Sequence, residues 1–189
     1  MTFRDPPAQA AWRHREALDG FEVVLIRAHD GGWLMEGDTA AVEEGEAYAV
    51  RYAIEVDAGW STRRAHVTSL VAERRLETDG DGHWLVDGEP APQLDGVFDV
   101  DVESSALTNA FPVHRLGLQV GEEADAPAAY VRALDLRVER LEQHYVRLDD
   151  ADGRQAYHYA SPAFGFECRL EYDESGLVLD YPGIAVRFA

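Results

Sequence analysis

Two carboxylates stand two residues apart in the run Val97-Phe-Asp99-Val-Asp101-Val-Glu103. Strand side chains alternate between faces, so Phe98, Val100 and Val102 point one way while Asp99, Asp101 and Glu103 point the other. The Cα atoms of Asp99 and Asp101 then lie roughly 6.5 to 7 Å apart, within reach of one ligand. Against a sugar the pair would accept hydrogen bonds from neighbouring hydroxyls, with Trp60 or Trp84 offering a ring to stack on. Against a glycoside the two could divide acid and nucleophile roles, since retaining glycosidases hold their carboxyls about 5 to 5.5 Å apart. Acting through Mg²⁺ they could instead hydrolyse a phosphate ester. A solvated acidic strand face is the plain alternative.

The stretch Ser104 to Thr108 breaks the alternation, and Asn109-Ala-Phe-Pro-Val-His-Arg115 predicts a short helix with Thr108 as N-cap and Pro112 in its first turn. Thr108, Asn109 and Arg115 around that helix could hold an anionic head group, although capping alone explains Thr108. Upstream, alternation sets Trp60, Thr62, Arg64 and His66 on one face, and the simplest role for Arg64 is to pair with the Asp99 and Asp101 carboxylates.

Other chemistries find little footing. The seven histidines form no His-x-x-x-His pair, so no metal site is expected. Asp79-Gly-Asp-Gly-His83 begins like a calcium loop but lacks the later glycine and glutamate, and reads as a hairpin tip. No nucleophile elbow, phosphate loop or dinucleotide fingerprint occurs, and no cofactor or catalytic residue is expected. Cys168, the single cysteine, shares a strand face with Phe166, Leu170 and Tyr172 and reads as a packed structural thiol.

The elements that must position these residues are mostly strands. From Phe21 onward a period of two marks Glu22 to Ala28, Trp33 to Val42, Tyr48 to Asp57 and Thr62 to Thr78. Tyr48, Val50, Tyr52, Ile54 and Val56 form one apolar face. Glycine-bearing turns follow at His29 to Gly32, Asp57 to Gly59, Asp79 to Gly82 and Asp87-Gly88. Strands resume at Ala129 to Val138, Gln143 to Leu148, Gln155 to Ala160, Phe164 to Tyr172 and Leu177 to Phe188. Residues 1–19 read as an adaptable arm or as a short helix around Ala10 to Leu18. Hairpin after hairpin means an antiparallel sheet that must curl to bury its apolar face, with the one internal helix as its plug.

The 189 residues fit a single domain, 1–189. They carry 36 acidic against 17 basic side chains, a net charge of −19, and every basic residue is arginine. That balance suggests adaptation to high salt, where a Debye length of roughly 3 Å mutes self-repulsion. It also argues against nucleic acid or an anionic bilayer as partner. The N-terminus, Met1-Thr-Phe-Arg-Asp-Pro-Pro, has no apolar stretch and no run approaches a membrane span, so the expectation is a cytoplasmic protein.

The chain resembles the putative glycolipid-binding proteins, a family long catalogued as a domain of unknown function. The resemblance rests on Leu94-Asp95-Gly96, Asp99-Val-Asp101, Thr108-Asn109-Ala-Phe-Pro112 and Arg115-Leu116. It continues in Tyr52 to Arg64, Ala129-Tyr130-Val131, Gln143-His144-Tyr145 and Asp180-Tyr181-Pro182-Gly183, from about Gly20 on. The chain departs from the family pattern at Ser105-Ala106, usually threonine-proline, and at His114, where arginine is common. The resemblance implies a mainly β fold: a long antiparallel sheet curled into a spiral roll or half-barrel around a single α-helix, remotely like the lipoprotein carriers, and a homodimer. The functional expectation is a glycolipid- or amphiphile-binding protein, involved in glycolipid metabolism, with an acidic head-group pocket of Asp99, Asp101, Arg64, Trp60, Thr108, Asn109 and Arg115. The alternatives are a hydrolase using Asp99 and Asp101, with or without a divalent metal, and a ligand-free dimer scaffold.

Overall fold

The computed structural model describes residues 3–16, 18–43, 45–103 and 105–189. The first half of the chain supplies β1 (Gln9–His14), β2 (Leu18–His29), β3 (Gly32–Glu43), β4 (Glu46–Val56), β5 (Thr62–Ser69), β6 (Glu73–Thr78), β7 (Trp84–Val86), β8 (Glu89–Pro90) and β9 (Asp99–Val102). The helix α1 (Ala110–Leu116) follows. The second half supplies β10 (Glu123–Asp125), β11 (Ala128–Val131), β12 (Val138–Leu141), β13 (His144–Ala151), β14 (Arg154–Ser161), β15 (Phe166–Tyr172), β16 (Val178–Tyr181) and β17 (Ala185–Arg187). Fourteen strands join one antiparallel sheet in the order β10-β13-β14-β15-β16-β17-β1-β2-β3-β4-β5-β6-β7-β8. Its two ends do not pair, so it is curled and not closed. Among the described residues α1 is the one α-helix, and no helix is long and apolar enough to cross a membrane.

Alternation drives the curl. In β4, Tyr48, Val50, Tyr52, Ile54 and Val56 are all buried, while the inward row of β2 runs Glu22, Val24 and Ile26. Burial of such rows removes apolar surface at roughly 25 cal/mol per Å² and is the main term holding the sheet around its contents. The helix divides that interior: Phe111 packs in the larger cluster with Trp60, Val100 and Leu107, and Val113 in a tyrosine-rich one with Tyr145, Tyr157, Tyr159 and Tyr172. Gly117 ends α1 in the left-handed region at φ 57, its N–H reaching the Val113 carbonyl.

Several expectations are corrected. Gln9–His14 is neither arm nor helix: β1 lies between β17 and β2 in mid-sheet and buries Trp12, whose Nε1 donates to the Val178 carbonyl at 2.7 Å. A strand of six residues cut off by Pro6-Pro7 is too short to display its period, and pairing on both sides outweighs the helical propensity of its alanines. Thr62 to Thr78 is two strands, because Ser69 Oγ accepts from the N–H groups of Val71 and Ala72 and turns the chain. Hairpins likewise split Ala129 to Val138 and Leu177 to Phe188. The run holding Asp99 and Asp101 is not in the large sheet. It pairs parallel with β11, and with β12 forms a separate three-stranded sheet inside the roll. Asp79-Gly-Asp-Gly-His83 is the β6–β7 hairpin tip, its Asp79 carboxylate accepting from the N–H groups of Asp81 and His83.

Candidate functional site

Strand β9 is buried on both faces. Val100 and Val102 pack into the main core, while the aspartate face meets the chain segment that leads into α1. Asp99 is 1% exposed, and both of its oxygens are taken by Arg115, with Nε donating to Oδ1 at 3.0 Å and Nη2 to Oδ2 at 2.5 Å. The guanidinium also lies over the Phe98 ring, 5.3 Å from its centroid. Burial pushes the Asp99 carboxyl above the ordinary range, and Arg115 offsets part of that. Two residues on, Asp101 is partly exposed, accepting from Thr108 Oγ1 at 2.7 Å and from Gln143 Nε2 at 2.7 Å. Burial, set against those two hydrogen bonds and helped by the Glu103 and Asp99 charges, raises its carboxyl from 3.8 to about 6.

Thr108 does not cap the helix: it lies inside the 3-10 turn, Leu107–Asn109, through which the helix starts with no side-chain cap, and its hydroxyl donates to Asp101. Anchoring comes from Glu22 on β2, fully buried, which accepts from Ser105 Oγ at 2.5 Å, Ala106 N at 2.7 Å and Tyr52 Oη at 2.6 Å. Its carboxyl too is raised, burial outweighing the hydrogen bonds. Tyr52 reaches Glu22 across β3 because the residue between them is Gly37. A Cβ there would lie 2.3 Å from the Tyr52 ring. Ser104 lies outside the described residues. Asn109 is fixed from two sides, Tyr145 Oη donating to its Oδ1 at 3.1 Å and Tyr172 Oη to its carbonyl at 3.2 Å.

Arg64 and Trp60 lie elsewhere. A β-bulge in the β4–β5 pairing, where Val56 faces Thr62 but Glu55 faces Arg64, resets the alternation at Arg63. Thr62 stays inside and supports β9 by accepting from Val100 N, while Arg64 turns out to pair with Glu55 at 3.1 Å. Arg64 is thus no partner of the aspartates, and Arg115 takes that place. Trp60, at φ 65, is 8% exposed and stacked on His114 with ring centroids 3.5 Å apart, so it offers no sugar platform. His114 stays neutral, burial pushing it down to about 4, and Nε2 lies 3.0 Å from the Ser175 carbonyl. Trp84 is buried as well, donating to the Val97 carbonyl. Cys168 is partly buried beside Tyr159, and burial raises its thiol to about 12.

Asp101 and Asn109 open onto a cavity of about 240 Å³. One wall is polar, formed with Glu103, Ser105 and Glu43; the other is aromatic, formed by Tyr159, Phe164, Phe166 and Tyr181. Glu103 is engaged by Tyr130 Oη at 2.9 Å and by Ala133 N at 2.6 Å. Ser161 Oγ, on the cavity wall and 1% exposed, makes no hydrogen bond of normal geometry. Among the described residues no group of three side chains is arranged to hold a metal. Of the residues the sequence singled out, the structure brings together Asp99, Asp101, Thr108, Asn109 and Arg115. Sequence reasoning gave no site role to Glu22, Gln143, Ser161 or the aromatic wall, although Gln143 and Tyr181 stand in the motifs that carry the family resemblance. Glu22 carried one signal, a charge in phase with Val24 and Ile26.

A curled antiparallel sheet wrapped on one helix, with a cavity beside the Asp101 carboxylate, defines a β half-barrel. The chain belongs to the putative glycolipid-binding family, whose model matches residues 9–187. It is also similar to the crystal structure of a DUF1089 family protein from Pseudomonas aeruginosa, at 32% identity and a TM-score of 0.73, covering 100% of this chain and 96% of that one. Among curated proteins nothing matches the chain.

Proposed function

We propose that this protein binds a glycolipid or similar amphiphile, with the polyhydroxyl head group in the Asp101 cavity and the apolar chain along the aromatic wall. The observation that carries this reading is the pairing, in one cavity, of the Asp101 carboxylate on one side with Tyr159, Phe164, Phe166 and Tyr181 on the other. Carboxylate and hydroxyl groups accept from sugar hydroxyls, and aromatic faces pack against the apolar faces of a pyranose or the start of a chain. The volume suits a single ring-sized group, below the ~300 Å³ at which drug-sized pockets begin. No unpaired cation lines this cavity, so an anionic head group is the poorer fit. In this reading the protein takes part in glycolipid metabolism by holding the lipid.

A two-aspartate hydrolase has less support, because Arg115 occupies both oxygens of Asp99 and leaves Asp101 without that partner. A homodimer has a candidate surface in the outer stripe of Phe21, Val23 and Leu25, each about half exposed, with Phe188 alongside. The test is calorimetric titration with octyl glucoside below its micelle concentration. The expected result is binding that Asp101→Asn weakens by about tenfold or more, the size of one lost charge-assisted hydrogen bond. No binding, or equal binding by the variant, would sink the reading.

A further inference from the structure

The antiparallel pairings sort the hairpins by end. Strands β2 to β6 run alternately forward and back, so the β3–β4 hairpin at Glu43 and Glu46 and the β5–β6 hairpin at Leu70 and Val71 lie at the end where β2 begins. The pair Arg13↔Phe21 brings the close of β1 to that end, and His14↔Ala185 brings the β16–β17 turn with it. Ser161↔Phe166 closes the β14–β15 hairpin there as well. The cavity opens at this end, since the large sheet lines it through Glu43, Ser161, Phe164, Phe166, Tyr181 and Ile184, with Tyr159 just behind.

The two most exposed large apolar side chains of the described residues stand on the same rim. Leu70 is 86% exposed and Val71 83%, on a tip whose turn is held by Ser69 Oγ accepting from two N–H groups. Ser69 faces Val50, which sets this tip beside the Tyr48 end of β4. Leu134, 49% exposed, projects from the β11–β12 hairpin against Glu43 and Tyr48, and Phe164, 48% exposed, flanks the cavity itself. The Phe21, Val23 and Leu25 stripe differs in kind: it lies flat on the outer side of the sheet, whereas these residues project from turns.

We infer that this rim is a docking surface for a lipid bilayer of uncharged head groups, with Leu70 and Val71 entering the interface and the cavity mouth turned toward it. Aliphatic side chains raised on separate hairpin tips need no matching pocket in a fluid interface, whereas a folded partner would have to supply one for each. Charge selects among bilayers: Arg132 and Arg137 on this rim are ion-paired with Glu103 and Glu139, while Glu43, Glu46 and Asp135 stand beside them on a chain with net charge −19, so an anionic surface is repelled and a neutral or zwitterionic one is not. The inference goes beyond the head-group reading and does not require it, because vesicles without glycolipid test it.

The experiment is flotation with vesicles of phosphatidylcholine, and of phosphatidylcholine with about a third phosphatidylserine, at low salt. Wild type is expected to float with the first and less with the second. Leu70→Ser with Val71→Ser should lower the partition coefficient about tenfold or more, from the loss of two exposed aliphatic groups. An unchanged melting temperature and unchanged octyl glucoside titration would show the fold and cavity intact. Leu134→Ser, on the β11–β12 hairpin and outside the cavity lining, gives a second reading and should lower flotation as well. Absence of flotation, or equal flotation by the Leu70/Val71 variant, would overturn the inference while leaving the cavity reading to its own titration. Loss of octyl glucoside binding in wild type, with flotation kept, would remove the cavity reading alone.

Discussion

Asp101→Asn should make the protein more stable at neutral pH, with a pH dependence set by one group. The carboxyl stands at about 6 in the fold against 3.8 ordinarily, which disfavours its ionised form by about 3 kcal/mol. The sign follows from proton binding. Between about pH 4 and 6 the folded carboxyl keeps its proton while the unfolded chain has released it, so stability from this group is full below about 4 and lost as pH rises through 6. The amide does not titrate. Its oxygen can still accept from Thr108, and a flipped Gln143 amide can accept from its nitrogen. Urea unfolding of wild type and variant at pH 4, 5, 6 and 7.5, at one KCl concentration, would read the difference. The variant should be equal or slightly weaker at pH 4 and gain up to about 3 kcal/mol on wild type by pH 7.5. A difference that stays constant, or moves toward wild type, would refute the account of Asp101 as a partly desolvated carboxylate whose ionised form the fold disfavours. Paired with the octyl glucoside titration, a stabilised variant that no longer binds would mark a position kept for ligand and not for fold.

The two arginines give a sharp contrast. Arg115→Ala leaves Asp99 buried without its partner and should cost about 3 to 5 kcal/mol in chemical unfolding, whereas Arg64→Ala removes a surface pair with Glu55 and should cost at most about 1. Gly37→Ala places a methyl on the Tyr52 ring, so unfolding should show a loss of about 1 to 3 kcal/mol and octyl glucoside affinity should fall as the Tyr52–Glu22 hydrogen bond that anchors the helix start is disturbed. With a net charge of −19 and no lysine, melting temperature should rise from 0.1 M to multimolar KCl. A flat curve would remove the high-salt reading of the composition.

Much of the architecture was legible in the chain because it rests on short-range rules. The period of two in Tyr48 to Val56, the glycine turns and the proline-bearing start of α1 each depend on a few neighbouring dihedrals and side-chain directions. The grouping of Asp99, Asp101, Thr108, Asn109 and Arg115 was visible too, since a strand and the helix after it must fold back on each other within a short span. Where alternation was carried past an irregularity it failed. One extra residue at Arg63 reversed the phase and sent Arg64 outward, leaving Arg115 as the partner of Asp99.

What only the tertiary structure decided is which distant strands meet. The parallel pairing of β9 with β11, the reach of Tyr52 over Gly37 to Glu22, and the aromatic wall drawn from β14, β15 and β16 join residues far apart in the chain. In a sequence with 36 acids, Glu22 looks like surface until three donors are seen converging on it. Local sequence sets the direction in which each side chain points. The cost of burying an unpaired charge decides which neighbours must be there to receive it, and that is settled only when the sheet closes around the helix.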